Sequence, residues 1–495
     1  MMRPLLRASG LTAVMLLTVA TLALGQEPPG PSQPAPPHQH GGESSTAELF
    51  PAREASGTAW LPDESPMYGF ERRVGQWTMM LDGTAVGQFL YEPGEIHRTG
   101  GFSSKQVSSV NWLMGMARRP AGKGRVGLRA MVSFEPWTVS DCGFINMLAS
   151  GEMCEGDTIH DRQHPHDLFM ELAADYDRPI RGSLRWQLYA GFAGEPALGP
   201  PAFPHRISAM PNPIAPITHH WLDSSHISFG LITIGVSERR WKAEISVFNG
   251  REPDEARADV DLGPLDSVSA RVTLLPTPRL ALQVSAAHLH AAEAEFPPQP
   301  RSDVDRVTAS ATYHRMTGAA IWATTLAYGM NAGPEVIPGD VVHLTTHAGL
   351  LESTLVMSDR HTWFGRAELV GKPGHDLHMH ATPATIFPIG KVQAGYVRSF
   401  LTGSGIVLGV GGTASVSIVP PALVPRYPRR ANPGFGVFAS VRPARHGAVS
   451  VSARTAGRGA RPGSPGEEAS LPSSYASPDH GAGSIAVAFV QKLRQ

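Results

Sequence analysis

The chain has 495 residues, with 42 Lys or Arg set against 43 Asp or Glu, for a formal net charge of -1 at pH 7. That balance leaves no basic surface for a nucleic-acid partner. The 52 Gly and 44 Pro, spread among short periodic segments, argue for one large all-β unit rather than a set of helical domains.

In chain order, Arg3 and Arg7 give a basic start, an apolar run follows from Leu11 to Leu24, and the small residues Ala23 and Gly25 close it. This is the layout of a secretory signal over residues 1–25, cleaved before Gln26. No later stretch reaches the ~18 apolar residues of a spanning helix, which excludes a helical membrane protein. Residues 26–74 open on a Pro, Gly and Ser-rich run and are predicted to lack structure, with His38 and His40 simply solvated.

Alternation of apolar and polar residues then predicts sixteen strands. The first eight lie near 75–91, 104–117, 125–136, 167–177, 183–193, 226–236, 240–249 and 265–275. The second eight lie near 279–289, 304–315, 319–330, 343–357, 360–370, 388–400, 404–414 and 434–442. Trp241, Ala243, Ile245 and Val247, for example, oppose Lys242, Glu244 and Ser246. Trp77, Trp112, Trp186, Trp241 and Trp363 fall on the apolar phase, as girdle residues at a lipid boundary should.

A soluble sandwich alternates too, so the connections must decide. Those after even strands are short ("SER", "TPR", "MTG", "SDR"). Those after odd strands are long: 92–103, 137–166, 194–225, 250–264, 290–303, 331–342, 371–387 and 415–433. Short turns at one end and long loops at the other are the mark of a transmembrane antiparallel up-and-down β-barrel, here over residues 75–442. The tail 443–495 is Gly, Arg, Pro and Ser-rich; its segments "HGAVSVSAR" and "GSIAVAFVQKL" alternate well enough to serve as strands 17 and 18.

With its signal, strand count and loop asymmetry, the chain resembles Gram-negative outer-membrane porin-like barrels. Segments 158–176 and 247–272 are similar to those of a His-rich porin-like group. The resemblance implies an outer-membrane location, contact with outer-membrane lipid, an arrangement that admits a homo-oligomer, and passage of small polar solutes or ions. It carries no residue role over. The chain departs from general porins in ending "KLRQ" rather than on an aromatic residue, and in an aromatic content of only 7%.

Taking the polar phase as inward puts Arg129, Glu171, Asp175, Arg185, Lys242, Glu244, Arg271, Arg306, Arg366 and Glu368 along the lumen, with Arg125, Glu135 and Asp167 in the same phase. Opposed charges across a wet lumen can screen polar solutes, or they can pair with cross-strand neighbours and only line the wall. Sixteen strands leave room for water unless loops fold inward. The stiff Pro-rich 194–225 connection is long enough to plug the opening.

Fifteen of the 21 histidines fall in the long loops or beside them. His160, Asp161, His164, His166 and Asp167 lie within eight residues, His219, His220 and His226 in a second loop, and His375, His378 and His380 in a third. Neutral imidazole suits copper and zinc, so a transition-metal site stands against a polar network that merely shapes the loops. Strand phase turns His288 and His290 outward, away from any shared site. Cys142 and Cys154 share one loop of an exported chain, which favours a disulfide. "THHWLDSSH" carries the residue types of serine chemistry, but no G-x-S-x-G elbow and no H-E-x-x-H helix occurs, so no enzyme is expected.

Overall fold

The computed structural model describes residues 49–94, 104–140, 142–155, 157–293, 301–337, 340–379 and 381–446. The signal segment, residues 26–48, His380 and the two alternating segments of the tail lie outside these.

The strands, in chain order, are β1 (Phe70–Val74), β2 (Trp77–Tyr91), β3 (Lys105–Ala121), β4 (Gly124–Val132), β5 (Phe144–Cys154), β6 (Asp157–Gln163), β7 (Phe169–Arg181), β8 (Leu184–Gly194), β9 (Ser228–Glu238) and β10 (Trp241–Phe248). They continue as β11 (Ser267–Thr277), β12 (Leu280–Glu293), β13 (Ser302–Thr317), β14 (Ala320–Ile337), β15 (Asp340–Met357), β16 (His361–Pro373), β17 (Ile386–Leu401), β18 (Ile406–Ile418) and β19 (Ala431–Pro443). Sixteen of them form the wall. Each is antiparallel to the next, β4 pairs with β7 across the inserted β5–β6 hairpin, and β19 returns to β2 over Phe435↔Tyr91 to Val441↔Ala85. The ring is closed, with β1 folded as a hairpin along the first part of β2.

On β11, Ser267, Ser269, Arg271 and Thr273 are buried while Val268, Val272 and Leu274 are exposed. Leu369, Ile245 and Val410 are about 60% exposed on the same outer face. A wall that is apolar outside and polar inside is suited to hydrocarbon around it, and it is the wall of an outer-membrane-type β-barrel.

Three details of the wall depart from the sequence expectation. The connection expected to be long at 331–342 is a tip between Ile337 and Asp340, because pairing continues through Ala332↔Thr345 to the strand ends. Trp112 does not face lipid: it shares the inward row of β3 with Gln106, Ser108, Met114 and Arg118, and is 5% exposed. Met170 also turns inward, where the register shifts between Met131↔Glu171 and Val132↔Phe169. Such a bulge re-aims one side chain.

The larger departure concerns the lead-in. Predicted without structure to residue 74, the chain is ordered from Leu49, and Leu49, Phe50, Ser56, Thr58, Ala59 and Leu61 are buried. Glu54 pairs with Arg118 and Arg125 on the wall. Arg129 donates to Gly57 O at 2.9 Å and Lys242 to Thr58 O at 2.6 Å. Segment 49–69 thus fills the turn end of the barrel, beside a cavity of about 550 Å³ lined by Arg53, Arg125, Arg185 and Lys242.

Candidate functional site

From the loop end, the 195–227 connection enters the lumen and is stitched to the wall. Arg206 is fully buried and holds Glu352 at 2.5 Å and Asp223 at 2.9 Å. Ser208 donates to Glu352, Asn212 to Gln393, Thr218 to Glu368, and Trp221 to Thr346. Arg366 donates to Ile214 O at 2.7 Å. The charges read from sequence as lumen-lining do face inward, but they meet this loop, segment 49–69 and one another. Arg271 bonds Glu244 at 3.1 Å and Thr58 at 3.0 Å, Arg129 faces Glu171 and Asp175, and Arg306 bonds Asn331 at 2.9 Å. Arg185, on the rim of the turn end, pairs with Asp177.

The β5–β6 hairpin carries the second insertion. Cys142, just before β5, and Cys154, its last residue, are joined in a disulfide that ties the start of that strand to its end beside the hairpin turn. Leu148, Glu152 and Asp161 in it adopt positive φ, a strained conformation for such residues that accumulates at functional sites. Gly151, at φ +113°, is a required glycine: a Cβ there would lie 2.3 Å from the His220 ring. The hairpin is therefore pressed against the 195–227 loop at that imidazole.

Five of the predicted histidines gather where these two insertions meet. Ring centres are 5.1 Å apart for His219 and His226, 5.3 Å for His166 and His226, 5.5 Å for His219 and His220, and 6.1 Å for His164 and His220. In each ring Nδ1 meets an acceptor: Glu135 for His166, Asp223 for His219, Glu252 for His220, the Asp223 carbonyl for His226 and the Pro165 carbonyl for His164. In a neutral ring that donates from Nδ1, Nε2 is the bare nitrogen. His226 Nε2 is buried without a hydrogen-bond partner, and His164 Nε2 faces Glu152 at 3.0 Å. Burial pushes the His226 and His164 imidazoles well below their ordinary range and lowers His219. At His166 burial acts the same way, but the adjacent Glu135 outweighs it and the imidazole is raised.

Asp167 sits beside this group, 3.5 Å from Arg257, which also pairs with Glu152. Burial raises its carboxyl to about 7. The other predicted ligands lie elsewhere. His160 offers both ring nitrogens to other groups, Nε2 to Tyr427 at 2.9 Å and Nδ1 to the Asp376 carbonyl at 3.1 Å, and stacks on His378. Asp161 accepts the Leu148 amide, and His375 pairs with Asp376. This second group is a latch between hairpin and wall loops. Among the described residues, Asp254, Asp259 and Asp261 form the one set of three or more ligand atoms all within 4.8 Å of one another. The five histidines do not form such a set.

Ser224 accepts from Arg306 at 2.8 Å, while His219 is engaged with Asp223, so this bonding does not join serine to imidazole. Sequence reading missed Arg206, Glu352 and the Lys391–Glu92 pair, which is buried at 2.7 Å. The inward phase of Glu352 on β15 was legible, but its partner was not.

No family model and no curated protein matches the chain. Among solved structures it is similar to the outer membrane channel DcaP of Acinetobacter baumannii, at 10% identity and TM-score 0.43 over 76% of this chain and 100% of that one. It is also similar to Salmonella typhi OmpF, at 11% and 0.45 over 75% and 100%. A third is an anion-selective porin from Comamonas acidovorans, at 10% and 0.41 over 74% and 99%. At these values the likeness adds nothing to the strand pairing given above. The closed wall with its apolar exterior makes the protein an outer-membrane β-barrel.

Proposed function

We propose that this barrel captures transition-metal ions, copper or zinc, at the histidine cluster of His164, His166, His219, His220 and His226 inside its own loop-filled lumen, and passes small ions or polar solutes only when that filling yields. One observation carries the metal reading: every imidazole of the cluster gives Nδ1 to a carboxylate or carbonyl. That is the second-shell arrangement that orients a ligating Nε2. A polar network built only to fix the loop has no need to leave His226 Nε2 buried without a partner. The channel reading rests on size, since a wall of 16 strands encloses an aqueous path once its insertions move.

Two measurements test it. Zinc and copper titration of the detergent-folded chain should show binding that falls at least about tenfold in a His166→Ala, His219→Ala, His226→Ala variant, which removes ligands rather than only their outer-shell partners. Unchanged affinity removes the metal site. In planar bilayers the full chain should be closed or nearly so, and deletion of residues 26–69 should open unitary steps; a deletion variant that inserts yet never conducts removes the channel.

A further inference from the structure

Three adjoining strands bring thioethers together on the inner wall. β2 and β3 set Met80 opposite Met116, and β3 and β4 set Met114 opposite Met131. Directly opposed residues hold their Cβ atoms about 5 Å apart, and Met114 and Met116 are same-face neighbours on one strand. Inward rows of such barrels are normally polar. The row on β3 is apolar from Val110 and Trp112 through Met114 and Met116, and turns polar at Ser108 and Arg118.

The patch is roofed. Met210 of the inserted loop and Met67 of the N-terminal segment join Met80, Met114 and Met116 around a cavity of about 100 Å³. His205 lines the same cavity, with Nε2 at 3.4 Å from Met131 Sδ and its ring 4.8 Å from that of Trp112. Glu54, Asp82 and Arg129 stand at the margin, with Glu54 paired to Arg118 and Arg125, so the neutral sulfurs and the imidazole are what single the site out.

We propose that this cavity binds a soft monovalent cation, Cu(I) or its analogue Ag(I), through the thioethers of Met80, Met114 and Met116 and the imidazole of His205. Neutral thioethers favour Cu(I) and offer little to zinc or to hard cations, which take imidazole or oxygen. The site uses none of the five histidines assigned above, and stands whether or not they hold metal. Methionine also fills irregular gaps in cores. Gap filling, however, does not require sulfur in particular, and that separates the two readings.

The test uses the full chain folded in detergent, titrated anaerobically with Cu(I) against a Cu(I)-specific chromophoric chelator, and with Ag(I) as a redox-inert probe. Met80→Leu, Met114→Leu and Met116→Leu together keep the volume of the patch. This variant should lose about one bound equivalent or at least about tenfold in Cu(I) affinity, with zinc binding unchanged. A His219→Ala, His226→Ala variant should keep its Cu(I) affinity even where zinc is lost, so failure here and failure of the histidine cluster are told apart. A leucine variant that matches the wild type in affinity and stoichiometry overturns the proposal. So does copper-edge absorption of the loaded wild type that shows no sulfur neighbours, which needs no variant to fold.

Discussion

The guanidinium of Arg206 donates to Asp223 at 2.9 Å, and so ties together two turns of the same loop deep inside the barrel. Through Glu352 the same side chain fixes them to β15. The pair also reaches the histidine cluster, since Asp223 holds Nδ1 of His219.

Replacing Arg206 with Ala leaves Asp223 buried without its guanidinium and Glu352 with Arg366 as its remaining cation. Removal of one partner from a buried pair costs about 3–5 kcal/mol. The expected outcome is a folded wall with a released 195–227 loop, read as faster proteolysis of that loop with unchanged strand content by circular dichroism. An equally protected loop would mean that the wall contacts of Ser208, Asn212 and Thr218 suffice.

Glu195 sets a pH dependence. Burial raises its carboxyl to about 7 against the pull of Arg271, whose Nη1 lies 3.7 Å away. The folded state then holds a proton that the unfolded chain releases at lower pH. Its contribution is therefore full at low pH and is lost as pH rises through about 7. Gly57 of the N-terminal segment packs on this side chain. Protection of the amides of residues 49–69, taken relative to their intrinsic exchange rate at each pH, should be greater at pH 5 than at pH 8, and Glu195→Gln should flatten the difference; an unchanged difference would assign it to other groups.

On the outer face, Leu369→Arg places a charge at a position that is 63% exposed on the wall. Near the bilayer midplane such a change costs about 2–4 kcal/mol. Urea unfolding in lipid vesicles should show that loss, while Gly403→Arg at the β17–β18 turn should show little. Equal effects would place Leu369 away from lipid.

Reduction of Cys142–Cys154 opens a loop that ties the two ends of β5 together over a separation of 12 residues. A loop of this size is worth about 3 kcal/mol in chain entropy. The expected result is loss of protection in β5 and β6 without loss of the wall, together with weaker metal binding, because His164 and His166 follow directly from β6. Metal affinity indifferent to reduction would uncouple the hairpin from the site.

The wall was legible because strand period and turn length are local signals, and they found all sixteen of its strands, the one expected at 319–330 ending seven residues short of Ile337. The contents of the lumen were not. Nothing around Glu54 is periodic, and its order comes from Arg118 and Arg125, some 64 and 71 positions away. The 331–342 stretch reads as loop because Asn331, Gly333 and Pro334 are weak strand formers, yet pairing with β15 carries them. Of the candidate ligands, five converged and His160, His375 and His378 did not, because β6 aims His160 at Tyr427 while the chain after it turns His164 toward His219 and His220, and His166 toward His226. The methionine patch lies in the period-2 rows of β2 to β4, but period alone does not bring together residues of three strands.

The junction between the first and last wall strands has only seven paired residues, whereas β14 and β15 share seventeen. A cylinder fails where its stave-to-stave bonding is sparsest. This one therefore has a built-in zip line along β2 and β19: the last join to be made during insertion, and the first to part under heat or sideways tension.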